Sequence, residues 1–114
     1  MEAAVIGAGI GGLTAALALA RAGLRVRVFE QAPALREVGA GIQLAPNATR
    51  LLHRLGLEDA LARVAVKPAC SELRRWDDGR VLWSQPLGAA IEERFGAPYY
   101  HLYRPDLLAV LADA

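Results

Sequence analysis

A glycine-dense hexapeptide, Gly7-Ala8-Gly9-Ile10-Gly11-Gly12, limits this chain more than any other feature of its sequence. Before it, Ala3 to Ile6 is a short apolar run; after it, Leu13, Ala16, Leu17 and Ala20 recur at helical spacing. That order predicts strand, turn and helix. Gly23 falls where a helix should end, and Arg25 to Phe29 alternates in polarity up to Glu30, as a second strand does. The first thirty residues therefore read as a βαβ unit.

The hexapeptide fits G-x-G-x-x-G, a spacing with a mechanism. Gly7 permits a tight turn, Gly9 lets backbone N–H groups approach a pyrophosphate, and Gly12 allows the helix to pack closely on the strand. The N-terminus of the helix then faces the phosphates with its partial positive charge. Glu30 stands eighteen residues after Gly12, at the end of the second strand, where a carboxylate accepts hydrogen bonds from a ribose diol. These elements point to a dinucleotide. A carboxylate there repels a 2'-phosphate and disfavours NADP in this site, which leaves FAD and NAD.

The apolar stretch from Ala3 to Ala20 also raises a membrane span or a signal peptide, with Gly7 and Gly11 in a GxxxG pattern. Both fit poorly. Four glycines within six residues weaken a membrane helix, and the N-terminus carries Glu2 rather than the basic residues of a signal peptide.

Composition narrows the function classes. The chain has 114 residues, 54% of them hydrophobic and 22% charged, which suits one folded domain rather than two or a disordered chain. Its formal net charge of +1 provides no field to hold nucleic acid or an anionic membrane, so neither partner is expected. Cys70 is the one cysteine. It excludes an internal disulfide and a zinc site, and the expected setting is a reducing cytoplasm.

Beyond the βαβ unit, Gln31 to Pro46 shows no periodicity and is predicted as a long loop, of the kind that usually serves a function. Asn47 is predicted to cap a helix running to Leu55, with Leu51, Leu52 and Leu55 inward and Gly56 ending it. A short helix from Glu58 to Val64 follows. Cys70 to Trp76 and Arg80 to Ser84 flank an Asp78-Gly79 turn and predict a β-hairpin. Gln85 to Pro98 is expected to be irregular. Tyr99 to Tyr103 is β-prone, and Pro105 suits the first turn of a last helix to Ala112. His53 and His101, with no carboxylate or nucleophile beside them in sequence, read as structural.

Three separated runs, VIGAGIGGLTAALALARAGLRVRVFEQ, LREVGAGIQLAPNATRLLHRLGL and YHLYRPDLL, together resemble the N-terminal region of the FAD-dependent aromatic hydroxylases, the family of salicylate and hydroxybenzoate hydroxylases. The resemblance spans nearly the whole chain and implies an α/β fold: a Rossmann-type FAD-binding βαβ unit with a β-hairpin insertion. It implies FAD as cofactor, NADH or NADPH as electron donor, and a small aromatic substrate hydroxylated with molecular oxygen. Gly7, Gly9, Gly12 and Glu30 would hold the adenosine end. Arg36 and Arg104 would contact the ribose and phosphate region, where a guanidinium fork suits phosphate. Gln43, after the Gly39-Ala40-Gly41-Ile42 turn, would approach the flavin.

Relatives in that family are several times longer and carry later segments that hold the rest of FAD and the substrate. The chain is therefore expected to be the N-terminal part of an FAD-binding domain, inactive by itself, with the missing C-terminal segment as a partner. No catalytic residue can be named. Two other readings remain open at this point: the NAD-binding module of a dehydrogenase, and a non-catalytic remnant.

Overall fold

The computed structural model of the chain describes residues 1–35 and 39–114. Its first three elements are the predicted unit: β1 (Glu2–Ile6), α1 (Ile10–Arg21) and β2 (Arg25–Phe29). The two strands pair in parallel, with Glu2 opposite Arg25 and Ile6 opposite Phe29, because the helix between them returns the chain to the same edge. At the end of α1, Gly23 takes φ +87°. Its N–H donates to Ala20 and that of Leu24 to Leu19, the paired bonds that close a helix when the residue past its cap is left-handed.

The predicted loop holds a strand. Gly41–Leu44 forms β3, which pairs antiparallel with β6 (Tyr100–Tyr103), Gly41 opposite Tyr103 and Leu44 opposite Tyr100. Four residues flanked by glycine and proline are too few to show a period, and the partner that makes them a strand lies almost sixty residues away in sequence. The region expected to be irregular likewise contains a helix, α4 (Gly88–Phe95), ended by Gly96 at φ +68°. It is short and buries only Ile91.

Helix α2 (Pro46–Arg54) begins two residues earlier than predicted. Ala45 is its N-cap, Pro46 occupies the first turn and no side chain caps it, so Asn47 lies inside the helix. Leu52 is buried and Leu55 half-buried, but Leu51 is 55% exposed. Leu51 precedes Leu52 by 100° of helical turn, enough to carry it off the inward stripe. Helix α3 (Glu58–Val64) matches its predicted range. The hairpin is present as β4 (Cys70–Arg74) and β5 (Val81–Pro86), with an irregular register between Leu73 and Arg74. Helix α5 (Arg104–Asp113) closes the order, with Pro105 in its first turn as expected.

The core gathers Leu44, Leu52, Leu57, Leu61, Tyr100, Leu102, Leu107 and Leu111 from β3, β6, the helices α2, α3 and α5 and the turn between α2 and α3. Ile10, Leu13 and Leu17 of α1 pack against it, which fixes the glycine turn relative to α5. Thr49 is fully buried within α2 and donates its hydroxyl to the Pro98 carbonyl at 2.7 Å.

Candidate nucleotide-binding cleft

The turn from β1 into α1 depends on its glycines in three different ways. Gly7 has φ +97°, in the left-handed region that side chains rarely adopt. A Cβ at Gly12 would lie 1.9 Å from the Gly7 carbonyl oxygen, so the strand and helix approach closely only without a side chain there. A Cβ at Gly9 would meet nothing within 4 Å. That glycine leaves open space at the start of the helix, where a ligand can reach the backbone.

Among the described residues no side chain caps α1, and its first turn has no acidic residue. The first N–H groups of a helix have no partner within it, so this end of α1 favours an anion. Glu30 lies directly across. One of its carboxylate oxygens accepts the Ala8 N–H at 2.7 Å and the other accepts the Ala32 N–H at 2.8 Å. The Ala32 bond, then the Ala8 bond, hold its pKa below the ordinary carboxylate value against an opposing desolvation effect, with a smaller contribution from the Gln31 backbone. A carboxylate offers about four acceptor positions, so these backbone donors leave room for another.

These groups surround a cleft of about 210 Å3 lined by Ala8, Gly9, Glu30, Ala32, Leu35 and Leu108. The composition suits an adenosine diphosphate: backbone donors for phosphate, a carboxylate for the ribose diol, and apolar side chains at the wall. Leu108 comes from α5 and had no signal in sequence, since only the packing of α1 on α5 brings it there. The same is true of the Ala8–Glu30 hydrogen bond, which ties the glycine turn to the end of β2.

The remaining sequence-predicted residues stand apart from this group to different degrees. Arg104 opens α5, one helical turn before Leu108, and its N–H donates to the Ala40 carbonyl at 3.1 Å; spacing of four places both side chains on one face. Arg36 lies outside the described residues. Gln43 is in β3 opposite His101, and its Oε1 accepts the Tyr99 hydroxyl at 3.0 Å. It does not line the adenosine cleft.

The two histidines have the neighbours that sequence did not reveal. His53 Nε2 lies 3.2 Å from the Tyr100 hydroxyl and its Nδ1 3.9 Å from a Glu58 oxygen, so it braces α2 against β6 and α3. Burial pushes the Tyr100 phenol up. Nearby, Lys67 pairs with Glu92, whose hydrogen bond raises the ammonium pKa. His101 is exposed and meets the Tyr99 ring edge-on, with centroids 5.7 Å apart. Among the described residues, no helix is long and apolar enough to cross a membrane, and no three His, Cys, Asp or Glu side chains are grouped to hold a metal ion.

Comparison with known proteins gives this geometry a family. The family described as FAD binding domain matches residues 1–113. The 3-amino-4-hydroxybenzoate 2-monooxygenase PtnB3 of Streptomyces platensis is 56% identical over 104 residues, which are 91% of this chain and 26% of that protein. The 6-hydroxynicotinate 3-monooxygenase of Pseudomonas fluorescens is 43% identical over 111 residues, 97% of this chain and 29% of that one. Among solved structures, Klebsiella pneumoniae HpxO complexed with FAD and uric acid superimposes with a TM-score of 0.86 at 32% identity, covering 99% of this chain and 28% of its own. The chain thus spans about a quarter of the length of the curated relatives it matches.

Proposed function

The chain belongs to the FAD binding domain family, and from that premise we propose that residues 1–114 supply the adenosine-holding, N-terminal part of the FAD site of an aromatic-ring monooxygenase. One observation carries the reading. The Glu30 carboxylate and Gly9, the residue from which α1 starts without a side-chain cap among the described residues, line a single cleft. FAD, when bound, supplies two-electron redox chemistry and the activation of molecular oxygen.

The residues of this chain have binding roles. The N–H groups at the start of α1 would take the pyrophosphate, Gly9 would leave room for it, and Gly7 and Gly12 would hold the turn in the shape that presents those donors. Glu30 would accept from the adenosine ribose with the acceptor positions that Ala8 and Ala32 leave. Arg36 and Arg104 would neutralise and orient the phosphate and ribose region, and Gln43 would face the flavin end. NADH or NADPH would be the electron donor and a small aromatic compound the substrate of the whole protein, in keeping with relatives named for hydroxybenzoates and hydroxynicotinate. The expected setting is cytoplasmic, where the exposed Cys70 stays a thiol.

The test is a titration of the 114-residue chain with ADP, FAD and NAD, followed by backbone amide NMR. ADP is the part of the cofactor whose phosphate and ribose groups match the backbone N–H groups and the Glu30 carboxylate at this cleft. It should shift the amides of Ala8, Gly9, Ile10 and Ala32, with FAD binding weakly at the same amides. A clear preference for NAD over FAD and ADP would replace this reading with that of a dehydrogenase module.

A further inference from the structure

Two bases and two acids line one groove, and their side chains have no partner within the described fold. The groove, of about 500 Å3, runs between α3 and α5 and is bounded at the α2–α3 turn by the last residue of α1. Arg21 of α1 and Arg63 of α3 supply its basic wall, and Asp106 and Asp113 of α5 its acidic wall. Among the described residues none of the four makes an ion pair or a side-chain hydrogen bond. The two walls therefore stand farther apart than a direct ion pair reaches.

Helix α5 has two distinct faces. Leu107, Leu108 and Leu111 are buried, whereas Asp106, Ala109, Val110 and Asp113 line the groove. Their spacing of i, i+3, i+4 and i+7 puts them on one face. Gly56 and Ala60 line the other side, and residues this small let another helix approach closely. Arg21 is seated at this end: a Cβ at Gly56 would lie 2.9 Å from a guanidinium nitrogen, so the glycine leaves the space that the head group fills.

The distribution of sign selects the occupant. A ligand of one sign is attracted by one wall and repelled by the other, two charges against two. A second copy is matched at both, because a two-fold axis sets the patch against itself and each acidic wall meets a basic one. We propose that this chain pairs with itself through the α3–α5 groove, with Asp106 and Asp113 of each copy on the Arg63 and Arg21 wall of the other. The net charge of +1 opposes the approach of two copies only slightly. Helices α3 and α5 have 7 and 10 residues, so they are about 10 and 15 Å long, and an interface of that extent is weak and reversible. No residue of the adenosine cleft takes part, and the pairing is independent of the cofactor reading.

The experiment is sedimentation velocity on the 114-residue chain over a range of concentrations, at low and at high salt. A monomer–dimer equilibrium is expected, its dissociation constant rising about tenfold in high salt, because exposed ion pairs are screened. Reversing either wall, as Arg21→Asp with Arg63→Asp or as Asp106→Arg with Asp113→Arg, should leave monomers. An equal mixture of the two variants should restore the dimer, since opposite charges then meet at both contacts. Net charge is controlled by Arg25→Asp with Arg80→Asp, two exposed positions outside the groove; this variant should still dimerise and should not rescue the acidic-wall variant. Circular dichroism checks that each variant folds, and if one does not, the salt dependence of the native chain decides alone. A native chain that stays monomeric at every concentration, or a mixture that stays monomeric, would overturn the proposal. A dimer that persists in high salt and is lost in Leu73→Ser would also overturn it, by placing the association at the exposed β4–β5 hairpin.

Discussion

The β4–β5 hairpin and the β3–β6 pair are both two-stranded antiparallel sheets, yet one is entirely on the surface and the other lies in the core. Every residue of β4 and β5 is exposed, including Leu73, Leu82 and Trp83, and Trp76 in the connection is 94% exposed. In β3 and β6, Leu44, Tyr100 and Leu102 are buried beneath α2, α3 and α5. Strand pairing alone does not bury a sheet; an apolar layer has to cover it. The radius of gyration of 17.0 Å reflects this, since a compact chain of this length would have about 13 Å. Stability should therefore reside in the β3–β6 half, with the hairpin contributing little.

The largest effect is expected at Leu61, which has no exposed surface. Leu61→Ala should cost about 2–5 kcal/mol through lost burial and the cavity left behind. Urea denaturation followed by circular dichroism would show a lower midpoint with the slope unchanged. A loss below 1 kcal/mol would mean that this half is not the stabilising one.

Gly12→Ala comes next, because its Cβ would lie 1.9 Å from the Gly7 carbonyl oxygen and backbone yields less than a side chain. Separating α1 from β1 should cost about 1–3 kcal/mol, as overpacking does. Gly9→Ala, which meets nothing, should leave stability within about 0.5 kcal/mol and instead weaken ADP binding by crowding the phosphate. Equal destabilisation by the two substitutions would remove the distinction between a packing glycine and a ligand glycine.

How much of this was legible follows the range of the signals. The βαβ unit, the glycine roles and Glu30 could be read because turn, helix and strand are set within thirty consecutive residues. The hairpin was legible from its Asp78-Gly79 turn, although β5 runs two residues further than expected. β3 was missed because its partner is distant in sequence, and α4 because eight residues with a single buried side chain carry almost no periodicity. Ala45 rather than Asn47 caps α2 since Pro46 already fits the first turn and needs no N–H partner there. Leu108 in the cleft, Thr49 in the core and the Tyr99–Gln43 contact arise from packing between elements, which a local pattern does not encode.

Glu30 offers a smaller effect with a definite sign. Its folded pKa is lowered, chiefly by the Ala32 and Ala8 N–H groups, so its link between the glycine turn and β2 is complete above the ordinary carboxylate value of 4.5. The link is lost as pH falls through the lower folded value. The difference in ADP affinity between the unmodified chain and Glu30→Ala isolates the carboxylate from the titration of ADP itself: it should be about ten- to a hundredfold and constant near neutrality, the factor for a charge-assisted hydrogen bond, and shrink in that acid range. An unchanged dissociation constant would remove Glu30 from the site.

The smallest change is expected in the hairpin, where Leu73 pairs across the ladder with Trp83 and both are more than half exposed. Leu73→Ser removes apolar surface that folding barely shields, so little transfer energy is at stake, and the backbone ladder does not depend on that side chain. Surface substitutions of this kind fall within about 0.5 kcal/mol, and the urea midpoint should barely move. Solubility should respond more than stability: exposed Leu73, Trp76, Leu82 and Trp83 form the kind of apolar surface that drives self-association, so light scattering of Leu73→Ser should show less oligomer than the unmodified chain at equal concentration. A loss of stability comparable to that of Leu61→Ala would mean that the hairpin is covered in solution, and the contrast between the two sheets would fail.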